Sequence, residues 1–307
     1  MEFLDLQCFV NIAETGSFTK SALQSNVAQS ALSRRVRDLE TELGTALFYR
    51  NGRGVMLTEA GEVFLTRARF ILAEVEALRQ DMRKTLGELD GTVKLGVPPS
   101  VGLVLLAPLL QQVRADHPHI RMRVLEGFSG HVAEWLSAGM VDLAVLYKTK
   151  SSTLLDAEHL LFEDLYLISS PKAPPIGSGA SVSLAEIAGQ ELALPGLPHG
   201  LRILVDEATV RARLTFNIAM ELETLPTICD LVAGGTIRTI LPLTAVRAEL
   251  ASGKLIAQKI VDPVICRELI LAHAPHHAAA PATKAVVRLI RAHIARLVAS
   301  GVWVGRI

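Results

Sequence analysis

Cysteine is scarce in this chain. The three present, Cys8, Cys229 and Cys266, are odd in number and scattered. They form neither a disulfide framework nor a metal-ligand spacing, and they suit a reducing cytoplasm. No apolar run approaches the roughly 20 residues that span a bilayer, so no membrane segment is expected. Met1 leads straight into a mixed polar and apolar pattern rather than a basic and then an apolar region, so no signal peptide is expected. Net charge is absent too: 31 basic residues balance 31 acidic ones. That argues against a surface that coats nucleic acid throughout, but it leaves room for a local basic site. There is no GxSxG elbow, HExxH pair, Walker loop or convincing Rossmann fingerprint, and His276-His277 is too short a run for a metal site. An enzyme is therefore not expected, nor a cofactor or metal. No repeat or low-complexity tract interrupts the 307 residues, half of them hydrophobic. That length holds two or three compact units with a sizeable core.

What is present begins with helices. Residues 3–14 place Phe3, Leu6, Phe9, Val10 and Ala13 on one side, and Gly16 and Ser17 break the run. Phe18 to Arg37 reads as two short helices jointed at Ser25-Asn26. In the second, Leu32, Val36, Leu39 and Leu43 recur at helical spacing and predict one buried face. The opposite face carries Gln29, Ser30, Ser33, Arg34 and Arg37, side chains suited to base edges and phosphates. Taken alone, this segment is equally a solvated amphipathic helix or a helix-turn-helix. From Ala46 to Leu57, Asn51-Gly52 and Arg53-Gly54 sit between two short apolar strands and predict a hairpin. Arg53 stands at its tip and Arg50 at its base, which makes it a wing suited to a narrow minor groove. Thr58 is the expected cap of the next helix, with Glu59 in its first turn.

The order FVNIAETGSFTKSA followed by VAQSALSRRVRDLETELGTALFYRNGRGVMLTEAG resembles the winged helix-turn-helix of LysR-type transcriptional regulators. The resemblance covers roughly the first sixty residues, and length and downstream pattern agree more loosely. Ala28 stands where the family often has Ser or Thr, which weakens the helix cap. Ser30 stands where it commonly has Pro, which restores an N–H and adds a hydroxyl. The candidate DNA-binding set is Ser17, Thr19, Gln29, Ser30, Ser33, Arg34, Arg37, Arg50 and Arg53. The resemblance implies double-stranded promoter DNA, a pseudo-palindromic site, a homodimer or homotetramer, and RNA polymerase as partners. The stretches LLFEDLYLISS, LPGLPHGLR and LETLPTICDLVAGGTIRTILP look closest to regulators of the nitrogen-assimilation-control type, which can act with little or no inducer.

A long helix is expected from Glu59 to Leu86. Phe64, Ala68, Ile71, Val75, Leu78 and Met82 form a heptad seam along it. That seam fits either packing on its own domain or a dimer coiled coil, and the dimer is favoured because little chain follows locally to cover it. Gly87 to Gly91 forms a hinge. Beyond it strands and helices alternate: Thr92–Val97, Val101 to Ala115, Ile120–Leu125, His131 to Ala138 and Leu143–Tyr147 give βαβαβ, a parallel sheet with helices on its faces. A second round runs through Leu165–Ser169, Leu192–Leu194, Leu201 to Arg213, Ile218–Leu222, Pro226 to Val232 and Arg238–Leu241. Leu269–Ala274 and a helix from Thr283 to Ala299 then return to the first lobe. Two lobes joined by two crossing strands resemble the type 2 periplasmic-binding-protein fold of LysR effector domains.

The fold class is thus an N-terminal all-α winged helix-turn-helix with a linker helix, plus an α/β two-lobed effector domain. The expected boundaries are 1–58 for the winged helix-turn-helix, 59–88 for the linker or dimerisation helix, and 91–307 for the effector domain. Lobe I takes about 91–161 and 267–307, and lobe II about 162–266. Ligands of such sheets sit beyond the carboxyl ends of the strands, and helix N-termini there favour anions. The candidate effector set is Ser100, Ser129, Gly130, Tyr147, His199, Arg202 and Thr224, suited to a small carboxylate or another anion. Each of these is equally an ordinary cap or turn residue. Gly234-Gly235-Thr236-Ile237 departs from the Gly-x-Gly usual in that family loop. Cys229 reads as a buried small side chain rather than a redox sensor. The expected function is a cytoplasmic, ligand-responsive DNA-binding regulator. The alternative is a small-molecule receptor that uses the two lobes without specific DNA binding.

Overall fold

The computed structural model describes residues 1–25, 27–51, 54–83, 89–148, 156–177, 179–274 and 280–307. The joint residue Asn26, the wing tip Gly52-Arg53, the first part of the expected hinge and His276-His277 lie outside the described residues. The chain divides into two compact units, Met1–Glu88 with Ala138–Met140, and Leu89–Ser137 with Val141–Ile307.

The first unit contains α1 (Phe3–Thr15), α2 (Phe18–Ser25), α3 (Gln29–Leu43), the strands β1 (Phe48–Asn51) and β2 (Gly54–Leu57), and α4 (Glu59–Arg83). Gly16 and Gly44 end α1 and α3 at φ of 63° and 67°, the left-handed conformation that glycine adopts without strain. Phe9 is fully buried, with ring centroids of Phe48 and Phe64 each 4.9 Å away. Leu32, Val36 and Leu39 are buried beside it, but Leu43 is 39% exposed. The periodicity overreached there, because Leu43 occupies the last residue of α3, beyond the reach of the core. The hairpin pairs Phe48 with Leu57 and Asn51 with Gly54. The Thr58 hydroxyl accepts from the Gly61 N–H at 3.0 Å and donates to the Ala46 carbonyl at 2.7 Å. It caps α4 and ties the helix to the wing. A Cβ on Gly61 would run into the Leu47 carbonyl, so this close approach needs glycine.

The second unit runs β3 (Gly91–Val97), α5 (Pro99–Asp116), β4 (Ile120–Glu126), α6 (Ser129–Ser137), β5 (Leu143–Tyr147), β6 (Ala157–Asp164), β7 (Tyr166–Ser169), β8 (Ser181–Ser183), α7 (Leu184–Ile187), β9 (Glu191–Leu194), α8 (Gly200–Arg211), β10 (Asn217–Glu221), α9 (Leu225–Ala233), β11 (Thr239–Leu241), a 3-10 turn (Leu243–Val246), α10 (Arg247–Ala251), β12 (Ile256–Val261), β13 (Cys266–His273) and α11 (Pro281–Ala299). One sheet has the order β4-β3-β5-β13-β6, another β11-β7-β12-β8, and β9 pairs with β10. One core gathers Val93, Leu105, Leu143, Leu161, Leu269, Ile290 and Trp303. A second gathers Leu165, Leu167, Leu192, Val205, Val232, Ile240 and Ile260.

Neither large sheet is wholly parallel. β3 runs parallel to β4 and β5, whereas β13 is antiparallel to β5 and β6, and β7 is antiparallel to β11 and β12. β3, β4 and β5, joined by helical crossovers, keep one direction, and β8 also lies parallel to β12. β6 and β13 carry the chain between the cores in opposite senses, held together at the crossing by the Leu165 N–H on the Ile265 carbonyl at 2.9 Å. β6 and β12 escaped the sequence pattern, since their burial does not alternate cleanly, and β8 escaped it because it is only three residues long.

Candidate nucleic-acid interface and effector cleft

The exposed face of α3 is built by what lies behind it. With Leu32, Val36 and Leu39 fixed in the core, Gln29, Ser30, Arg34 and Arg37 are exposed and Ser33 is half-buried. The Arg34 side chain is 84% exposed, and Asp38 is 3.9 Å away, a weak surface contact. Arg35, its neighbour, turns inward to Asp5 at 2.8 Å and joins α3 to α1. Ala28 holds the extended conformation of a cap, but it has no side-chain acceptor for the first turn. Ser17 caps α2 by accepting from the Lys20 N–H at 3.3 Å, and Thr19 is exposed. Arg50 lies on β1, and its side chain, like Arg53, falls outside the described part.

The seam on α4 divides. Ala68 is buried and Phe64 packs against Phe9, so both belong to the core of their own unit. Their place in a coiled-coil seam is corrected accordingly: α1 and the wing cover that half of α4. Ile71 and Leu78 are 39% and 59% exposed, and Val75 is half-buried. Met82 falls outside the described side chains.

In the second unit a cleft opens between the two cores, with about 90 Å³ accessible to water. Ser100, Ser129, Tyr147 and His199 line it, as do Lys148, Glu223 and Arg267. Its remaining wall is largely apolar, from Pro98, Phe128, Leu201, Leu204, Ile228, Leu241 and others. Gly130, Arg202 and Thr224 are not among the lining residues. Arg202 is held by Asp206 at 2.9 Å and Glu221 at 2.6 Å. Thr224 caps α9 through backbone geometry without a side-chain bond, and Gly130 sits within the first turn of α6. Ser129 accepts from the Tyr147 N–H at 3.1 Å, joining that turn to β5.

Sequence reasoning missed the centre of this cleft. Arg267 enters β13 opposite Glu163 on β6. Its Nε and Nη2 donate to Glu163 Oε2 at 2.8 and 2.7 Å, and its guanidinium lies 3.4 Å over the Tyr147 ring. Nη2 also reaches Ser100 Oγ at 3.4 Å. Glu163, 1% exposed, further accepts from Tyr147 Oη at 2.8 Å, Thr244 Oγ1 at 2.6 Å and Trp303 Nε1 at 3.0 Å. The signal was a charged pair at each end of the crossing, Glu163-Asp164 and Arg267-Glu268, which becomes legible only once the register is known.

Electrostatics follow from burial. His199 accepts the Leu201 N–H on Nδ1 at 3.1 Å, so its neutral ring carries hydrogen on Nε2. Its edge-to-face contact with Phe128, 4.5 Å between centroids, spans the cleft. Burial, with the Arg267 charge adding to it, lowers the His199 pKa to about 4. Burial also pushes the Tyr147 hydroxyl well above its ordinary range. Cys229 is buried, and burial raises its thiol to about 11, the opposite of a reactive thiolate.

A winged helix-turn-helix unit joined in sequence to a two-lobed α/β unit with a cleft is the arrangement of a DNA-binding regulator with an effector-binding domain. Residues 3–62 match the family model described as "Bacterial regulatory helix-turn-helix protein, lysR family", and residues 86–295 match "LysR substrate binding domain". The chain belongs to the LysR family: it is a DNA-binding transcriptional regulator with an effector-binding domain, not an enzyme. It is similar over nearly its whole length to regulators of the nitrogen-assimilation-control type. The nitrogen assimilation regulatory protein nac of Klebsiella aerogenes is 32% identical over 96% of each chain, and that of Escherichia coli K12 33% over 94% of each. Among solved structures, a full-length OxyR variant from Pseudomonas aeruginosa shares the fold with a TM-score of 0.76 at 24% identity, over 96% of this chain and 94% of that one. Full-length CbnR complexed with its target DNA shares it with a TM-score of 0.54 at 24% identity, over 96% and 100%. No helix among the described residues is long and apolar enough to cross a membrane.

Proposed function

We propose that this regulator reads a pseudo-palindromic promoter site as a homodimer or homotetramer, inside the cytoplasm. The carrying observation is the α3 edge of exposed Gln29, Ser30 and Arg34 with half-buried Ser33, backed by buried Leu32, Val36 and Leu39. These four enter the major groove. Ser17, Thr19, Arg37 and Arg50 hold phosphates, and Arg53 enters the minor groove. Subunits associate through the exposed part of α4, at Ile71, Val75 and Leu78. A small molecule in the cleft, touching Ser100, Ser129, Tyr147, His199 and Arg267, biases the closure of the lobes. That bias resets the spacing of the winged helices and the regulator's contact with RNA polymerase. Footprinting on the DNA upstream of its own gene tests this. Protection of a two-fold site is expected, and no protected site at moderate salt would sink the proposal.

A further inference from the structure

We infer that the cleft selects an uncharged, largely apolar small molecule carrying a carbonyl or hydroxyl acceptor, and rejects the small anion its helix N-termini suggested. This rests on the reading of the cleft as the effector site.

Among the described residues, every cation in or beside the cleft is already answered. Arg267 is neutralised by Glu163, Lys148 meets Glu268 at 3.0 Å, and Arg202 meets both Asp206 and Glu221. Exposed Glu223 adds a further carboxylate to the lining. Carboxylates therefore outnumber these cations.

Two of the four helix starts on the cleft, those of α5 and α8, are taken as well. The Glu126 carboxylate lies directly against the first turn of α5, where a Cβ on Gly102 would stand. At α8 the His199 ring accepts the Leu201 N–H that an anion would need. An anion could become the main charge partner of Arg267 only by displacing Glu163. That would leave a carboxylate buried at 1% exposure among Tyr147, Thr244 and Trp303 without its counter-charge, a severe electrostatic penalty. A carboxylate entering the largely apolar cleft would exchange its hydration for a few neutral or already compensated donors.

What remains on offer is hydrogen-bond donation without net charge. The neutral His199 ring contributes Nε2–H, and the Arg267 guanidinium stays compensated while it lines the wall. Phe128, Leu204 and Ile228 supply apolar contact. Such a site fits a carbonyl or hydroxyl on a hydrophobic body.

Benzamide and benzoate, nearly equal in shape and different in charge, test the inference by saturation-transfer NMR on the full chain at pH 7.5. The same titrations are run on Leu204→Trp and Ala245→Phe, two independent ways to fill the cleft, each first checked for native circular dichroism. Benzamide is expected to bind about tenfold more tightly than benzoate, with its signal lost in the filled variants. Benzoate binding as well or better, and lost on filling, overturns the charge inference while the cleft reading stands. Binding of neither probe, or binding that survives filling, overturns both.

Discussion

Arg34 and Arg35 stand next to each other and do opposite work. Arg35 turns back to Asp5, whereas Arg34 stands 84% exposed with no strong partner. Arg34→Ala should weaken operator binding by about 1–3 kcal/mol and relax specificity at one position. Fluorescence anisotropy on operator and random duplexes checks it. Equal loss on both would make Arg34 a phosphate contact. His199 sets a pH dependence of stability. Its pKa is lowered to about 4 by burial and by Arg267, so below the unfolded value the unfolded chain takes up a proton that the folded chain refuses. Stability is therefore present in full above about pH 6.5 and is lost as pH falls toward 4. Between pH 7.5 and 5 this one group should remove about 2 kcal/mol. Urea unfolding of the wild type and His199→Gln measures it: the variant should show the shallower decline, and parallel declines would contradict the burial argument.

At the scale of elements, the two halves of α4 carry different loads. Ile71→Asp or Leu78→Asp should give monomers by sedimentation with the winged unit still folded, because both side chains are exposed. Ala68→Asp should instead unfold that unit, since Ala68 is buried in its core. An unchanged oligomer in the first two variants would remove the seam from the interface. Helix α3 lacks only a side-chain acceptor at its cap, so Ala28→Ser should stabilise it by about 0.5–1 kcal/mol, read as slower hydrogen exchange in its first turn. Most elements were legible because their apolar residues recur at helical or strand periods, and caps such as Thr58 announced themselves. The crossing strands were not legible. β6 carries Glu163 and Asp164 where a core strand should be apolar, and their partners Arg267 and Arg306 stand more than a hundred positions further along the chain. Chemistry assembled by register is invisible to local pattern. So too was the bond from Arg202, an expected effector contact, to Glu221 across the sheet edge from α8.

For the whole molecule, Glu163 is where the sensing unit is tied together. It accepts from Tyr147 and Trp303 of one core, Thr244 beside the other, and Arg267 on the return strand. Glu163→Gln should cost about 3–5 kcal/mol by leaving Arg267 buried without its counter-charge, and a loss under about 1 kcal/mol in chemical unfolding would show the pair is dispensable. A balanced charge of 31 against 31 places the burden of DNA recognition on a small face repeated by symmetry. The central claim is that this repeated face reads sequence. It is tested most directly by titrating the full chain with a footprint-derived duplex and a scrambled one of equal length, at about 0.15 M salt. The account predicts binding to the former at least about 10³-fold tighter; equal affinity for the two would contradict it.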